Sequence, residues 1–145
     1  EQMGGAAQIM DLTVAYTKER TQFNRPIAGF QAIKHMAADM MTRVEVARSG
    51  VYYAACVAED ALAVTRGEDG ELAAELPEAA SVAKSFCSET YFKNAGDGLQ
   101  MHGGVGFTWE YDVHLCFKRA KSSEHFLGNA AYHRERIAAQ LLDSE

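Results

Sequence analysis

The stretch IKHMAADMMTRVEVARSGVYYAACVAEDAL, residues 33–62, decides the fold class. Its apolar residues recur every three or four positions, a spacing that places them on one face of an α-helix. The members of this stripe are Ile33, Met36, Met40, Val44, Ala47, Val51, Ala54, Ala58 and Leu62. The pattern predicts a helix of about thirty-five residues, roughly 50 Å long. Because a small domain does not need a helix of that length for itself, we expect it to pack in a bundle or across subunits.

Helical spacing of apolar residues continues on both sides of this stretch, and strict alternation is scarce. Residues 3–19 predict a first helix, 77–100 a third that opens with Pro77, 112–126 a fourth, and residues after the cap Asn129 a fifth. The expected inward-facing positions are Ala6, Ile9, Met10, Thr13, Tyr16 and Thr17, then Val82, Phe86, Cys87, Thr90 and Tyr91, and finally Ala130, His133, Ile137 and Leu141. The sequence therefore predicts an all-α, up-and-down helical bundle that occupies residues 1–145 as one domain.

Composition excludes several classes of function. The chain has 145 residues, 48% of them hydrophobic and 23% charged, as in ordinary globular proteins. Its net charge of -6 argues against nucleic-acid binding, because phosphate backbones are bound by Lys and Arg. No apolar run approaches the ~18 residues of a membrane span, and no signal-peptide pattern opens the chain. We expect a cytoplasmic protein with reduced thiols at Cys56, Cys87 and Cys116, in core or half-buried positions. The uncapped opening at Glu1 suggests a piece of a larger protein.

The loop between the first two helices reads ERTQFNRPI at residues 19–27, followed by Phe30 and Gln31. Arg20 offers a fork of N–H donors for a phosphate, and Phe23 offers a ring for a planar group. An ordinary turn around Asn24, Arg25 and Pro26, with a favourable arginine at a helix end, explains the same residues. Both interpretations are open from this segment alone.

A second unusual segment, GLQMHGGVGFT, covers residues 98–108. Its glycines allow close approach of the backbone to a ligand, and a helix end can cradle a pyrophosphate. A helix C-cap followed by a loop is the alternative. The segment is not the dinucleotide-binding fingerprint, because no strand precedes it and the glycine spacing differs.

Taken together, the two segments closely resemble the C-terminal helical domain of the acyl-CoA dehydrogenase family, over nearly the whole chain. The resemblance implies a bundle at the core of a homo- or hetero-oligomer, with FAD in a crevice between subunits. It implies that Arg20, Gln22 and Phe23 contact the FAD pyrophosphate and neighbouring parts, and that Gln31 supports the same cleft. It also implies that Gln100, Gly103 and Gly104 hold the cofactor bound mainly by the adjacent subunit.

The implied reaction is α,β-dehydrogenation of an acyl-CoA in fatty acid or lipid metabolism, with electron-transfer flavoprotein as the acceptor. A glutamate of raised pKa removes the α-proton while the β-hydride goes to FAD. An N-terminal helical domain and a middle β-domain supply much of the pocket in the family. Residues 1–145 contain neither, so we expect this chain alone to be inactive.

The catalytic base is the one feature on which this sequence departs from the family's commonest pattern. The base usually opens a Glu-Gly-Thr motif after the fourth helix, and the matching residues here are Leu127, Gly128 and Asn129. A leucine cannot accept a proton, so we predict no catalytic residue within the chain. The base would lie upstream of Glu1 or on a partner subunit, with Glu124 a surface or interface carboxylate.

The alternative function for this chain is a non-catalytic helical assembly subunit of a dehydrogenase complex. The run FTWEYDVHL, residues 107–115, resembles bacterial members, some of which form two-subunit complexes acting on bulky acyl-CoAs such as steroid side chains.

The histidines do not predict a metal site. None follows a glutamate by three residues, and no Cys-x-x-Cys occurs. His102 either touches the cofactor cleft or caps the third helix. We expect His114 and His125 at an interface or on the surface, and Trp109 in packing.

Overall fold

The computed structural model describes residues 1–143, and over that range the predicted all-α bundle is confirmed. Its five α-helices are α1 (Gln2–Glu19), α2 (Gln31–Thr65), α3 (Leu76–His102), α4 (Val113–His125) and α5 (Ala130–Leu142). Short 3₁₀ turns occur at Ile27–Gly29, Ala73–Glu75 and Gly103–Phe107. No helix within the described range is both long enough and apolar enough to cross a membrane.

The central helix is α3, which packs against all four other α-helices. The first four helices run alternately up and down. The C-terminal ends of α1 and α3 lie together, where the hydroxyl of Tyr16 donates to the carbonyl of His102, whereas Gln2 at the start of α1 bonds to Ser88 in the middle of α3. Asn94, fully buried on α3, donates hydrogen bonds to the carbonyl oxygens of Ala6 at 3.4 Å and Met40 at 3.2 Å. This side chain therefore ties α1, α2 and α3 together in the middle of the bundle.

Small residues let α1 approach α3 closely. A Cβ added to Gly5 would lie 2.4 Å from the ring of Tyr91, and one added to Gly98 would lie 2.9 Å from the hydroxyl of Thr13. Two apolar clusters fill the space around these contacts: Ala6, Val44, Tyr91, Ala95 and Ala120, and Ile9, Leu99 and Val113. The helices end close together, α1 at Glu19 and α3 at His102, and those ends carry the segments singled out in the sequence.

The predicted stripe of α2 is confirmed near its start and wrong near its end. Met40, Val44 and Ala47 are buried, whereas Leu62 is 53% exposed and Val57 is buried instead. The reason is that α2 extends beyond α1, so its last part is covered by α3, the Ala73–Glu75 turn and the linker that contains Gly70 and Leu72.

Four other predicted positions are wrong. Val82 and Leu141 are exposed, not inward-facing. Trp109 is 80% exposed instead of packed, and the ammonium of Lys118 lies 4.2 Å from the centre of its ring. Cys56 is exposed, while Cys87 is buried and Cys116 half-buried as expected, and all three thiols are free. Burial raises the pKa of Cys87.

Candidate functional site

The loop after α1 forms a small hairpin. Strand β1 (Thr21–Gln22) pairs antiparallel with β2 (Arg25–Pro26), and Phe23 and Asn24 form the turn with φ values of 53° and 60°. Two positive φ values are the signature of a type I′ turn, which joins strands in tight hairpins. The sequence predicted a turn centred on Asn24–Pro26, but the turn is centred on Phe23 and Asn24. The reason is that Arg25 pairs with Gln22 in the hairpin and is therefore part of the second strand.

The backbone of Arg20 is fixed at the junction of α1 and this hairpin. Its N–H donates to the carbonyl of Tyr16 at 2.9 Å, and its own carbonyl accepts from the N–H of Ile27 at 2.8 Å. The side chain of Arg20 is exposed and forms no ion pair with the acids in residues 1–143. A positive charge is therefore presented from a fixed backbone position without a neutralising partner.

The glycine-rich segment 103–106 contains glycines of three kinds. Gly103 ends α3 with φ 65° and ψ −146°, a conformation that disfavours any side chain. Gly106 is packed internally, because an added Cβ would lie 3.0 Å from Cβ of His102. Gly104 has neither a positive φ nor any protein atom within 4 Å of an added Cβ. Nothing within residues 1–143 requires a glycine at position 104, where the missing side chain leaves the backbone open.

These elements enclose a cleft of about 390 Å³ at one end of the bundle. Its lining residues are Tyr16, Arg20, Gln22, Ile27, Gln100, Met101, His102, Gly103, Gly104 and Val105. Five of the residues predicted to bind cofactor meet there: Arg20, Gln22, Gln100, Gly103 and Gly104. Phe23 and Gln31 lie outside this cleft. The ring of Phe23 is 85% exposed and stands edge-on to Phe30 at 6.0 Å, and Gln31 is an exposed residue at the start of α2.

The cleft has the chemistry of an anion site. It combines one guanidinium, two carboxamides and a stretch of backbone without side chains, and its lining includes no carboxylate. Charge-assisted hydrogen bonds from such groups are the strong contacts to phosphate. The residues therefore fit a pyrophosphate with uncharged polar groups on either side, which is the middle of an FAD molecule. The roles assigned to individual residues remain predictions.

An aromatic cluster holds the wall of the cleft in place. The ring of His102 stacks on Tyr16 with centroids 4.1 Å apart, and Tyr111 stands edge-on to both rings at 5.7 Å. The Nδ1 atom of His102 lies 2.7 Å from the carbonyl oxygen of Gly98. His102 thus does both things that the sequence left open: it bonds within the last turn of α3 and lines the cleft. Burial lowers the pKa of its imidazole, although the bond to Gly98 opposes that effect.

Sequence reasoning missed Tyr16 as a cleft residue and placed it only on the buried face of α1. Its position four residues before Arg20 was the available signal, because that spacing puts both on one side of the helix.

The position matched to the family's base lies at the other end of the bundle. Leu127 follows α4 in a left-handed conformation with φ 60°, and its side chain is 73% exposed. Its carbonyl is 2.9 Å from Nε2 of His133. Asn129 accepts a hydrogen bond from the N–H of Tyr132 at 2.9 Å, so the predicted cap of α5 is confirmed. Glu124, half-buried, pairs with Lys121 at 2.8 Å.

Gln2 shows how far apart these two regions are. Its amide donates to the carbonyl of Ser123 at 2.9 Å, so the end of α4 lies beside the start of α1. Arg20 and the cleft lie at the end of α1, which spans roughly 27 Å at ~1.5 Å per residue. The cleft and the Leu127 turn are therefore separate sites on this chain.

The other histidines show no shared site. His125 is exposed, and His114 is half-buried between the rings of Phe107 and Trp109, at 5.9 and 6.1 Å. Within residues 1–143, no group of three or more His, Cys, Asp or Glu side chains could hold a metal ion.

The fold and the cleft define a helical domain suited to hold an anionic cofactor between its loops. The chain belongs to the acyl-CoA dehydrogenase family: the family described as "Acyl-CoA dehydrogenase, C-terminal domain" matches residues 1–142. FAD is the cofactor of this family, and the resemblance stated from the sequence is confirmed.

Curated relatives from mycobacteria cover almost the whole chain. Acyl-CoA dehydrogenase IpdE2 of Mycolicibacterium smegmatis is 38% identical over 97% of this chain and 40% of the relative. Acyl-CoA dehydrogenase FadE34 of Mycobacterium tuberculosis is 39% identical over 96% of this chain and 18% of the relative. The chain thus spans less than half the length of these relatives.

Solved structures show the same fold. A variant of the Tcur3481-Tcur3483 steroid ACAD matches with a TM-score of 0.84 and 30% identity, over 98% of this chain and 36% of that one. Butyryl-CoA dehydrogenase from Megasphaera elsdenii matches with a TM-score of 0.81 and 28% identity, over 97% of this chain and 34% of that one. A chain from a structure described as the electron transferring flavoprotein of Acidaminococcus fermentans matches with a TM-score of 0.82 and 33% identity, over 99% of this chain and 34% of that one.

Proposed function

We propose that this chain is the FAD-contacting and subunit-packing region of a flavin-dependent acyl-CoA dehydrogenase that oxidises the α,β-bond of an acyl-CoA thioester. The observation that carries the proposal is the cleft. Arg20 and Gln22 come from one end of the chain and Gln100, Gly103 and Gly104 from another, yet the fold places all five around one space. A module that only packed subunits together would not need an unpaired guanidinium and an open glycine backbone at the same place.

In this proposal, the residues of the cleft bind one part of the cofactor. The guanidinium of Arg20 donates to phosphate oxygens, and the amides of Gln22 and Gln100 bind neighbouring polar atoms. Gly104 allows the ligand to approach the backbone closely. FAD supplies the hydride acceptor for the oxidation. Phe23 and Gln31 would contact the cofactor only where it extends beyond the cleft.

The remaining parts of the active site are proposed to lie outside residues 1–145. The relatives are more than twice as long as this chain. The region that matches this chain makes up only part of their length. We infer that an N-terminal helical domain and a middle β-domain, on the same polypeptide or on a partner, complete the pockets for flavin and acyl-CoA. We assign the catalytic glutamate to the polypeptide upstream of Glu1 or to a partner subunit, because Leu127 cannot accept a proton.

Subunit packing is the second part of the proposal. Large apolar side chains on α2 and α5 remain exposed in the single chain: Met41, Val46, Tyr52, Tyr53, Leu62, Val64, Tyr132, Leu141 and Leu142. Apolar surface of this kind marks interfaces. We propose a homo- or hetero-oligomer in the cytoplasm, with electron-transfer flavoprotein as the electron acceptor.

The test is to purify the dehydrogenase assembly that contains this chain and record its absorption spectrum and its activity on a panel of acyl-CoA thioesters with an artificial electron acceptor. The expected result is a yellow protein with flavin bands and an enoyl-CoA product. A stable assembly that contains no flavin and cannot be loaded with FAD would contradict the proposal.

A non-catalytic assembly subunit is the second candidate. The leucine at the base position, Leu127, favours this candidate. One matched structure, a steroid ACAD, is described by two names joined together, Tcur3481-Tcur3483. In that case this chain would contribute apolar contact surface to a catalytic partner, and mutations in the cleft would leave the flavin content of the assembly unchanged.

A further inference from the structure

His102 has one nitrogen in use and one free. The carbonyl oxygen of Gly98 can only accept, so Nδ1 of His102 must carry the proton in their 2.7 Å contact. A neutral imidazole carries a single N–H, and Nε2 is therefore left with an unprotonated lone pair. Because burial lowers the pKa of His102, this neutral form is the one present at pH 7.

The free nitrogen of His102 is partly accessible. The side chain of His102 is buried, with 6% of the residue exposed, and Nε2 has no hydrogen-bond partner within residues 1–143. Some histidine nitrogens are both fully enclosed and without a hydrogen-bond partner, namely Nδ1 of His114 and Nδ1 of His133. Nε2 of His102 also lacks a partner but is not among these enclosed atoms. Nε2 therefore has some accessible surface, and we take that surface to face the cleft, which His102 lines.

The direction of this lone pair is fixed. Tyr16 covers one face of the ring at 4.1 Å, Tyr111 closes an edge at 5.7 Å, and the bond to Gly98 sets the rotation about the side chain. Tyr16 also donates its hydroxyl hydrogen to the carbonyl of His102 at 3.4 Å. A side chain held by four contacts loses little conformational entropy when a ligand binds, so its hydrogen bond contributes more fully to ligand affinity.

The chemistry of an acceptor narrows what it can bind. Phosphate oxygens at pH 7 accept hydrogen bonds and would be repelled by a bare nitrogen lone pair, so Nε2 does not serve the pyrophosphate itself. Its partner must be an O–H or N–H donor next to the phosphates. In FAD the groups that flank the pyrophosphate are sugar and polyol chains, which carry hydroxyls.

We propose that His102 is a cofactor-binding residue whose Nε2 accepts a hydrogen bond from a hydroxyl beside the pyrophosphate. This inference rests on the proposed FAD site. It adds an acceptor to a set of residues assigned so far as donors and backbone, and it makes the cleft selective for a dinucleotide over a simple diphosphate.

Two substitutions separate the two nitrogens. Asparagine has an N–H donor where Nδ1 stands and nothing at the position of Nε2, so His102→Asn keeps the bond to Gly98 and removes the acceptor. Glutamine reaches the position of Nε2 with a carbonyl oxygen, so His102→Gln keeps an acceptor and loses the Gly98 bond. His102→Phe keeps the stacked ring and removes both nitrogens. The measurements are FAD affinity, by fluorescence titration of the deflavinated assembly, and the unfolding temperature.

We expect the loss of each nitrogen to change a different quantity, either FAD affinity or the unfolding temperature. FAD affinity falls about three- to tenfold in His102→Asn and His102→Phe, as for the loss of one hydrogen bond. His102→Gln keeps its affinity within about twofold but unfolds at a lower temperature, because the end of α3 has lost a bond. Wild-type affinity in His102→Asn, or an equal loss in His102→Gln, would overturn the inference. Failure of the wild-type assembly to bind FAD would overturn the proposed function instead, and the two failures are therefore distinct.

Discussion

The two ends of α1 carry opposite chemistry. At its C-terminal end, Arg20, the glycines after α3 and two glutamines surround an open cleft. At its N-terminal end, the turn between α4 and α5 exposes Leu127, and the neighbouring Glu124 is paired with Lys121. One end can hold an anion, whereas at the other the position matched to the base is a leucine and the neighbouring carboxylate is paired. Under the proposed function, cofactor binding and proton removal would therefore depend on different parts of the assembly, and each could be disturbed without the other.

The largest expected effect concerns the base. In the assembly with its natural partners, we expect Glu124→Gln to change turnover by less than about threefold. Substituting the proposed catalytic glutamate, upstream of Glu1 or on a partner, should lower turnover about 10²–10⁴-fold, as for the loss of a general base. The measurement is kcat with saturating acyl-CoA, alongside flavin content. If Glu124→Gln abolishes turnover while flavin content and assembly stay intact, Glu124 is the base and the comparison fails.

The next effect concerns Arg20. Arg20→Ala should weaken FAD binding about ten- to hundredfold, because a charge-assisted bond to phosphate contributes about 1.5–3 kcal/mol. The control is Arg66→Ala, which removes an exposed arginine whose partners are Glu59 and Glu68. Flavin retained after gel filtration, and the dissociation constant by fluorescence, measure both variants. Equal retention in the two would remove the cofactor role from Arg20.

Two glycines two residues apart sharpen the comparison within the cleft itself. Gly106→Ala should lower the free energy of unfolding by about 1–3 kcal/mol, because the new methyl group meets His102 and Leu99. Gly104→Ala should leave stability within about 0.5 kcal/mol. It should nevertheless lower FAD affinity about three- to tenfold by blocking close approach of the ligand. Chemical denaturation and FAD titration of both variants test this, and a Gly104→Ala protein with unchanged affinity would place the ligand elsewhere.

The smallest effect is on the pH dependence of stability. Burial lowers the pKa of His102 in the folded state, so the unfolded chain binds the proton more readily. The stability due to the neutral ring is present above the usual histidine pKa of ~6.5 and is lost as pH falls below it. Denaturation curves between pH 7.5 and pH 5.5 should show a smaller decline for His102→Phe than for the wild-type protein. Parallel declines in both would show that His102 does not titrate in this range.

The sequence predicts the helices well because their packing signals are local. The spacing of apolar residues in α1 and the first half of α2 depends only on which side of the helix is covered. Leu62 could not be placed in this way, because whether it is covered depends on how far α1 extends beside α2. Trp109 is a similar case: a tryptophan predicts burial by its size, but its exposure depends on what surrounds the loop after Gly106.

The sequence predicted some of the residues that line the cleft and did not predict its geometry. Arg20, Gln22, Gln100, Gly103 and Gly104 were found through the two motifs, and the structure places them together. That Phe23 lies outside the cleft follows from the type I′ turn, which rotates its side chain toward Phe30, and a turn type is set by pairing across the hairpin. The state of His102 could not be predicted, because its two nitrogens differ only through the carbonyl of Gly98 and the ring of Tyr16.

The length of α2 has a consequence for how the molecule opens in solution. Beyond Gly50, α2 is covered mainly by the first part of α3, the Ala73–Glu75 turn and the linker before it, while the other half of α3 lies among α1, α2 and α4. Backbone amides in the thinner region are protected by fewer neighbours, so local opening there needs less free energy. In deuterated solvent we expect the amides of residues 51–82 to exchange earlier than those of 85–101. The chain would then unfold in two cooperative steps, with the region that holds the cleft the last to open.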